Sequence, residues 1–409
     1  MSMKNKDFNY ELLAPAGDLF KAKIALDYGA DAVFVGAKSY SLRARASNFE
    51  IEQIHELIDY AHARNKKVYL VTNVICHMPL TKNFAKFIDQ IMVNPPDGCI
   101  SADPFIIDHL KKHYREKTEI HISTQQSITN SKSALFFKRN GAHRVVLSRE
   151  MTIDEISLLM KNLNQQIEVE VFIHGAVCIA YSGRCMMSNN FSLRDANVGG
   201  CAHSCRWSYN IKNHILDKTP SPFSMSSQDM IQISNLAKLM DLQIHSFKIE
   251  GRMKSIHYIA TIVHAYQQAI KAYQNSQPVN WDELKNQLQK AMNRLANVAW
   301  MNGNPGHELM LYHDKQELVG QSFIFIVTEI LGNNQYLITS KNKFLINDQI
   351  QILSSYSDDL KTVQLSSITD YETNEIMNEV HTPMKLYVIS LVNSNDKLYV
   401  NDMARLEEN

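Results

Sequence analysis

The sequence lacks a long apolar run. The N-terminal stretch MSMKNKDFNYELLAPAGD contains lysines, but no hydrophobic segment follows them, which predicts neither a secretory signal nor a membrane span. We therefore expect a cytoplasmic protein. Glycine and proline are modest, at 14 and 10 of 409 residues, and 45% of the residues are hydrophobic, so the composition excludes a wholly disordered chain. A chain of this length is expected to form two domains.

An excess of charge of one sign is also absent. Lysine and arginine total 42, as do aspartate and glutamate, which argues against a protein that grips nucleic acid through its overall charge. The balance is uneven along the chain, however. Residues 315–409 hold 7 basic and 13 acidic residues, whereas residues 1–314 hold 35 and 29. We therefore expect any polyanion to meet the first part of the chain.

Cysteine is scarce, and its distribution is informative. There are six cysteines, and four of them lie between residues 178 and 205. In a cytoplasmic protein such a group is more typical of a metal site or a catalytic site than of disulfides.

Short β-branched segments alternate with helical patterns over the first 275 residues. The predicted strands are ELLAPA (11–16), AVFVGA (32–37), KVYLVTNV (67–74), GCISAD (98–103), EIHISTQ (119–125), RVVLSRE (144–150), IEVEVFIHGA (167–176) and SFKIEG (246–251). The predicted helices are Leu19–Tyr28, Ile51–Ala63, Asn83–Val93, Phe105–His113, Ser131–Asn140, Ile153–Leu163, a segment near Met230–Met240, and Ile256–Tyr273.

Eight such units predict an α/β fold, a (β/α)8 TIM-like barrel. A doubly wound open sheet is the rival, but no GxGxxG follows the first strand. About 50 residues separate the seventh strand from the next helix, and this insertion contains the clustered cysteines. Since the loops after barrel strands form the active face, we expect the chemistry there.

The pattern changes after a helix at Trp281–Ala296. Short alternating segments such as SFIFIVTEI and KLYVIS, separated by turn residues, predict a small antiparallel β-barrel or sandwich. The predicted organisation is a catalytic domain at 8–275, a helical linker at 276–312 and an all-β domain at 313–409.

The cysteine spacing is Cys178-x6-Cys185-x15-Cys201-x3-Cys205. Four thiolates can complete a tetrahedral zinc site or hold a four-iron cluster, and the spacing does not choose between them. Gly183, Gly199 and Gly200 precede cysteines, where the backbone must turn sharply. Two alternatives stay open. The cysteines are small buried hydrophobes of a long loop, or one is a nucleophile with His174 or His203 as its base.

Several segments resemble the U32 collagenase-like peptidase family. They are EVEVFIHGAVCIAYSGRCMMS (168–188) together with ELLAPAGD (11–18), SLRARASNF (41–49), GGCAHSCRWSY (199–209) and SFKIEGRMKS (246–255). The length and the β-rich tail are similar to the branch that hydroxylates tRNA. That resemblance implies formation of 5-hydroxyuridine at the wobble position, with prephenate as co-substrate.

The resemblance also implies a 4Fe-4S cluster, with Cys178, Cys185, Cys201 and Cys205 on the ligand positions. Some relatives draw a ligand from the block that corresponds to residues 225–232, where this chain has no cysteine. The implied partners are tRNA, through its anticodon region, and a paired homologous subunit, with no membrane.

Other candidate site residues lie near the ends of predicted strands. His174 ends the seventh strand and is a candidate catalytic residue that moves protons, or else a structural histidine. The candidate substrate-binding residues are Arg43, Arg45, Arg206, Lys248, Glu250, Arg252 and Lys254. The cations suit carboxylates or phosphate, and an internal salt-bridge network is the alternative. Arg206 and Trp207 could stack a flipped-out base, or Trp207 could simply pack.

Three functions are consistent with these features. The first is an iron–sulfur tRNA hydroxylase. The second is a peptidase, although HExxH, GxSxG and a papain-like cysteine context are absent. The third is a non-catalytic iron–sulfur module that binds RNA or senses oxidation.

Overall fold

The computed structural model describes residues 8–42, 48–210, 222–312, 323–332 and 334–406. Within these residues eight parallel strands form the first domain: β1 (Glu11–Pro15), β2 (Ala32–Gly36), β3 (Lys67–Thr72), β4 (Gly98–Ser101), β5 (Glu119–Ile122), β6 (Arg144–Val146), β7 (Glu168–Ala176) and β8 (Ser246–Ile249). Each strand pairs with the next, and β8 pairs with both β7 and β1. The sheet is therefore a closed barrel, as predicted.

Helices follow the strands and most of them cover the outside of the barrel, whereas the short helix Met187–Ser192 lies in the insertion after β7. They are α1 (Leu19–Asp27), α2 (Ile51–His62), α3 (Met78–Ile91), α4 (Pro104–His113), α5 (Ser131–Arg139), α6 (Ile153–Leu163), α7 (Met187–Ser192), α8 (Leu236–Asp241), α9 (Ile256–Gln274) and α10 (Trp281–Lys290). Helix α3 starts at Met78, five residues before the predicted start at Asn83, and α10 ends at Lys290 instead of the predicted Ala296.

Local sequence explains why these elements form where they do. Strand β2 is AVFVG, and all five of its residues are buried, as expected for a strand covered on both faces. Helix α6 begins with a capping box, in which the Thr152 hydroxyl accepts the Glu155 N–H while the Glu155 carboxylate accepts the Thr152 N–H. Pro104 occupies the first turn of α4, where its missing N–H costs nothing.

The segment near Met230–Met240 differs from the prediction. A helix was expected there, but Asp229–Ile231 is a strand that runs antiparallel to β7, and α8 begins only at Leu236. Its apolar residues therefore extend the barrel sheet at the carboxyl end of β7, and the same strand pairs with Ala296–Asn297.

Buried charges fill the amino-terminal end of the barrel. The Arg144 guanidinium lies 2.5 Å from Glu11, 2.8 Å from Glu168 and 3.3 Å from Glu170, and Lys248 lies 2.7 Å from Glu170. A buried charge is tolerated only when it is paired and hydrogen-bonded, which this network provides.

The tail is antiparallel, as predicted. Its main sheet has the strand order Lys361–Val363, Ile350–Leu353, Met403–Leu406, Phe323–Gly332, Gln335–Ser340, Leu386–Leu391, Leu365–Asp370, Ile376–Met377. It encloses a core of its own and also packs on the barrel helices. The Tyr28 hydroxyl lies 3.0 Å from the carbonyl oxygen of Leu353 and 2.8 Å from that of Asn401.

Among the described residues, no helix is both long enough and apolar enough to cross a bilayer.

Candidate functional site

A cavity of about 200 Å³ opens at the carboxyl ends of the barrel strands. Its wall comes from the loops that follow β2, β3, β5, β6, β7 and β8, together with the long insertion after β7. In (β/α)8 barrels this is the face on which ligands bind and react. The sequence predicts the functional residues at this end of the barrel, and the structure has a cavity there.

All four clustered cysteines line this cavity. Cys178 is open to it, and Cys185, Cys201 and Cys205 are partly exposed. Burial, together with the neighbouring Cys178, Cys201 and Cys185, raises the pKa of the Cys205 thiol to about 11, because adjacent thiolates repel, although Arg206 acts in the opposite direction. The four sulfurs are therefore close enough to sense one another's charge, although their residues are separated by up to 27 positions.

Backbone groups approach two of the sulfurs. The Met187 N–H donates to Cys185 Sγ at 3.4 Å, and the Ala180 N–H hydrogen bond lowers the pKa of Cys178, while burial, the larger effect, raises it. Hydrogen bonds to thiolate sulfur tune the potential of an iron–sulfur cluster. The other two cysteines do not line the cavity: Cys99 is buried in β4, and Cys76 packs against the hydrophobic core, with its backbone N–H donating to Asp103 Oδ2 at 2.8 Å.

The donor set fits a sulfur-ligated metal group by its chemistry. Four thiols around one cavity are the ligands that zinc and four-iron clusters use. Among the described residues, no three His, Cys, Asp or Glu side chains are arranged to hold a metal ion. The fit therefore rests on the convergence of the thiols on one cavity and on their backbone hydrogen bonds, and not on a preformed coordination polyhedron.

Glycines let the cysteine loop turn. Gly199 has φ of 99°, a left-handed conformation that favours glycine. Next to it, a Cβ on Gly200 would lie 2.6 Å from the carbonyl oxygen of Asp195, so only glycine fits without a shift. Both positions were expected from the sequence as turn points immediately before Cys201.

Lys248 forms the cationic part of the cavity floor. Its ammonium lies 2.7 Å from Glu170 Oε1 and also 4.4 Å from the centre of the Phe34 ring and 5.5 Å from that of Phe172. Both rings line the cavity. A desolvated cation between aromatic faces is attracted to their quadrupoles. The sequence left a binding role and a salt bridge open for Lys248, and the structure shows the salt bridge at a position that faces the cavity.

Arg149 and Glu150 also line the cavity, and the sequence reasoning did not select them. The Arg149 guanidinium stacks 3.8 Å from the centre of the Phe172 ring and donates to the carbonyl oxygen of Ala176 at 2.5 Å. Glu150 accepts the Ser182 N–H at 2.7 Å and so anchors the cysteine loop. They are the last two residues of the sixth predicted strand, and the observed strand ends earlier, at Val146, which leaves both in the loop at its carboxyl end.

Glu250 and Arg252 line the cavity, as their positions after β8 predicted. Glu250 lies 3.9 Å from Arg149. Arg252 is buried and donates to Ser41 Oγ at 2.8 Å and to Asn48 Oδ1 at 2.7 Å. A Cβ at Gly36 would lie 2.4 Å from the Arg252 guanidinium, so the glycine that ends β2 makes room for it.

The remaining candidates are spread out. Lys254 lies outside the cavity lining, 2.7 Å from Asn293 Oδ1 and 3.6 Å from Asp229. Arg206 lines the cavity, and Trp207 beside it is 40% exposed. Arg43 and Arg45 lie outside the described residues.

His174 is fully buried beneath the cavity and is not among its lining residues. Its ring packs against those of Tyr258 and Tyr266, and its Nδ1 lies 3.4 Å from the Tyr266 hydroxyl. Burial, with a smaller effect from Lys254, lowers the pKa of His174 to about 3. The imidazole is therefore neutral at physiological pH, and its catalytic role stays a prediction.

Comparisons with known proteins agree with the resemblance. The family model described as "Peptidase family U32" matches residues 17–311. "tRNA hydroxylation protein P1" of Bacillus subtilis (strain 168) is 37% identical over 406 residues, covering 97% of this chain and 94% of that protein. "tRNA hydroxylation protein P" of Escherichia coli (strain K12) is 30% identical over 400 residues, covering 85% and 86%.

The name of a third relative describes a reaction on another RNA. "23S rRNA 5-hydroxycytidine C2501 synthase" of Escherichia coli (strain K12) is 34% identical over 265 residues, which are 64% of this chain and 39% of that protein. The family model covers well over half of the chain, and two relatives are at least 30% identical across most of it. This chain belongs to the U32 peptidase family.

Proposed function

We propose that this protein is an RNA-modifying enzyme that hydroxylates the wobble uridine of tRNA to 5-hydroxyuridine, with prephenate as co-substrate. The observation that carries the proposal is the convergence of four cysteines and several cations on one cavity at the carboxyl end of the barrel. The names of the relatives, which concern hydroxylation of tRNA and formation of 5-hydroxycytidine in rRNA, support it.

The second part of the proposal concerns the cofactor. Cys178, Cys185, Cys201 and Cys205 would hold a 4Fe-4S cluster, which would supply one-electron chemistry at the cavity wall. The raised pKa of Cys205 favours its protonated thiol, and binding of iron would release that proton. The backbone N–H of Met187 would then stabilise the charge on Cys185.

The floor of the cavity suits a planar, partly anionic ligand. Phe34 and Phe172 offer aromatic faces, and Lys248 and Arg149 offer cations beside them. Charge-assisted hydrogen bonds from such cations can fix the carboxylates of a small co-substrate. The lining has four Lys or Arg side chains and two Glu side chains, and the buried Glu170 pairs with Lys248, which leaves a small excess of positive charge for an anionic ligand.

A peptidase is the second candidate function, which the family description suggests. A cysteine nucleophile needs a lowered thiol pKa. Burial instead raises the pKa of both Cys178 and Cys205 in this cavity. The hydroxylase is therefore the better-supported reaction.

The test combines chemistry and spectroscopy. Anaerobically purified protein should be brown, contain about four iron atoms per chain if all four thiols ligate one cluster, and form 5-hydroxyuridine in unmodified tRNA when prephenate is added. Colourless, iron-free protein with full activity would exclude the cluster. Gelatin cleavage by a variant that lacks all four cysteines would favour the peptidase.

A further inference from the structure

Three aromatic side chains of the insertion, Phe191, Tyr209 and Phe223, pack together beside the cavity, and the exposed Trp207 lies two residues before Tyr209. We call these four side chains the aromatic rim. The ring centres of Phe191 and Tyr209 are 5.5 Å apart, and those of Tyr209 and Phe223 are 6.0 Å apart. Phe191 is 53% exposed and Trp207 is 40% exposed. Large aromatic side chains left this open indicate a surface that something covers.

The rim is continuous with the cavity. The Tyr209 hydroxyl donates to the carbonyl oxygen of Ser204 at 2.7 Å. Ser204, Cys205 and Arg206 all line the cavity. A ligand on the rim would therefore lie next to the cavity that the thiols line.

The charge around the rim selects its occupant. Across residues 178–210 there are three arginines and one acidic residue, Asp195. The Asp195 carboxylate is engaged inside the loop, where it accepts the Asn197 N–H at 2.8 Å. Arg184 and Arg206 are exposed. Exposed aromatic faces beside guanidinium groups are the pattern with which proteins bind single-stranded nucleic acid, through base stacking and phosphate contacts.

We infer that the aromatic rim binds the unpaired loop nucleotides that flank the target base of the RNA and so presents that base to the cavity. This inference rests on the proposed RNA-modifying function and extends it to the surface that selects single-stranded RNA. Bases next to the target stack on Phe191 and Trp207, and Arg206 contacts the adjoining backbone. The tail, with 13 acidic and 7 basic residues after residue 314, contributes little to this binding.

The chain offers a matched control for the rim. Phe136 on α5 is also 53% exposed and contacts Phe137, but it is not part of the cavity lining or the rim. Truncation of Phe136 therefore removes the same amount of exposed aromatic surface from a different face. Any general effect of losing a surface phenylalanine will appear in Phe136→Ala as well.

The experiment measures binding of a fluorescein-labelled RNA hairpin that carries an anticodon loop, compared with a fully paired RNA of the same length. We expect Phe191→Ala and Trp207→Ala each to weaken hairpin binding by roughly tenfold, and Phe136→Ala to leave it unchanged. Visible absorption and thermal unfolding confirm that each variant is folded. Equal hairpin affinity for wild type, Phe191→Ala and Trp207→Ala would overturn the inference.

Two further outcomes separate this inference from its alternatives. If hairpin binding depends on the rim but no 5-hydroxyuridine forms, the result would support the rim as an RNA-binding surface and contradict the proposed reaction. Normal 5-hydroxyuridine formation by the Phe191→Ala, Trp207→Ala double variant would contradict the rim and leave the reaction intact. A dimer of this chain that the double variant dissociates, with hairpin affinity unchanged, would show that the rim binds a second copy instead.

Discussion

The Lys248 ammonium lies 2.7 Å from Glu170 Oε1, and both side chains are buried inside the barrel. Glu170 also contacts Arg144 at 3.3 Å, so the cation on the cavity floor is tied to the charged network at the opposite end of the barrel. The Glu170 carboxylate thus fixes the Lys248 ammonium, while the Lys248 side chain also lines the cavity. The pair couples the stability of the barrel to the chemistry of the site.

Lys248→Met should destabilise the protein because it leaves the buried Glu170 carboxylate with one partner fewer. Breaking a buried ion pair by removing one member costs about 3–5 kcal/mol, which urea unfolding can measure. The double variant Lys248→Met, Glu170→Gln should recover much of this loss but none of the hydroxylation activity. A fully active double variant would show that the cavity floor needs no cation.

Cys185→Ser should remove most of the bound iron and the visible absorption, because a serine hydroxyl is a poor replacement for a thiolate ligand. Cys76→Ser is the matched control, since Cys76 is also partly exposed but does not line the cavity. Iron analysis and visible spectra of the anaerobically purified proteins compare the two. Equal iron content in both variants would contradict the assigned ligand set.

Arg149→Met should raise the KM for prephenate by roughly tenfold or more, because a charge-assisted hydrogen bond contributes about 1.5–3 kcal/mol. Arg64→Met provides the control, since the Arg64 guanidinium stacks 3.6 Å from the centre of the Tyr60 ring, outside the cavity. Steady-state kinetics with varied prephenate measures both. An unchanged KM in Arg149→Met would remove this residue from co-substrate binding.

His174 should make stability depend on pH. Burial lowers the pKa of His174 from 6.5 to about 3 in the folded protein, so the unfolded chain binds one more proton between these values. Stability therefore falls as the pH drops through that window, by up to about 1.4 kcal/mol per pH unit.

His174→Asn cannot take up this proton, so its free energy of unfolding should fall less between pH 6.5 and 5 than that of the wild type. Other buried histidines, including His121 and His257, contribute equally to both proteins. Urea unfolding at the two pH values gives the comparison. Identical pH dependence of unfolding in both proteins would contradict the conclusion that His174 is buried and neutral in the folded protein.

The barrel was predictable from the sequence because eight β-branched segments alternate with amphipathic helices at regular spacing. The cavity was partly predictable, since Cys178 and Glu250 closely follow the ends of strands β7 and β8, and ligands of such barrels bind at the carboxyl ends of the strands. The strand Asp229–Ile231 was not predictable, because a three-residue segment close before a helix has the same sequence pattern as the first turn of that helix.

The partners of the charged side chains were also beyond the sequence. Glu168 and Glu170 alternate with valines, a pattern that shows two faces of a strand but not which face enters the barrel. Glu170 meets Lys248 only because β7 and β8 are neighbours in the closed sheet. Similarly, Phe191 and Phe223 both contact Tyr209 only because of the fold of the long insertion.

Whether the cysteine site supports tRNA hydroxylation is tested by measuring 5-hydroxyuridine in tRNA from cells that lack this gene and carry either the wild-type chain or Cys185→Ser. We predict that the wild-type chain restores the modified nucleoside and that Cys185→Ser, expressed at the same level, does not. Equal amounts of 5-hydroxyuridine in both strains, or none with the wild-type chain, would contradict it.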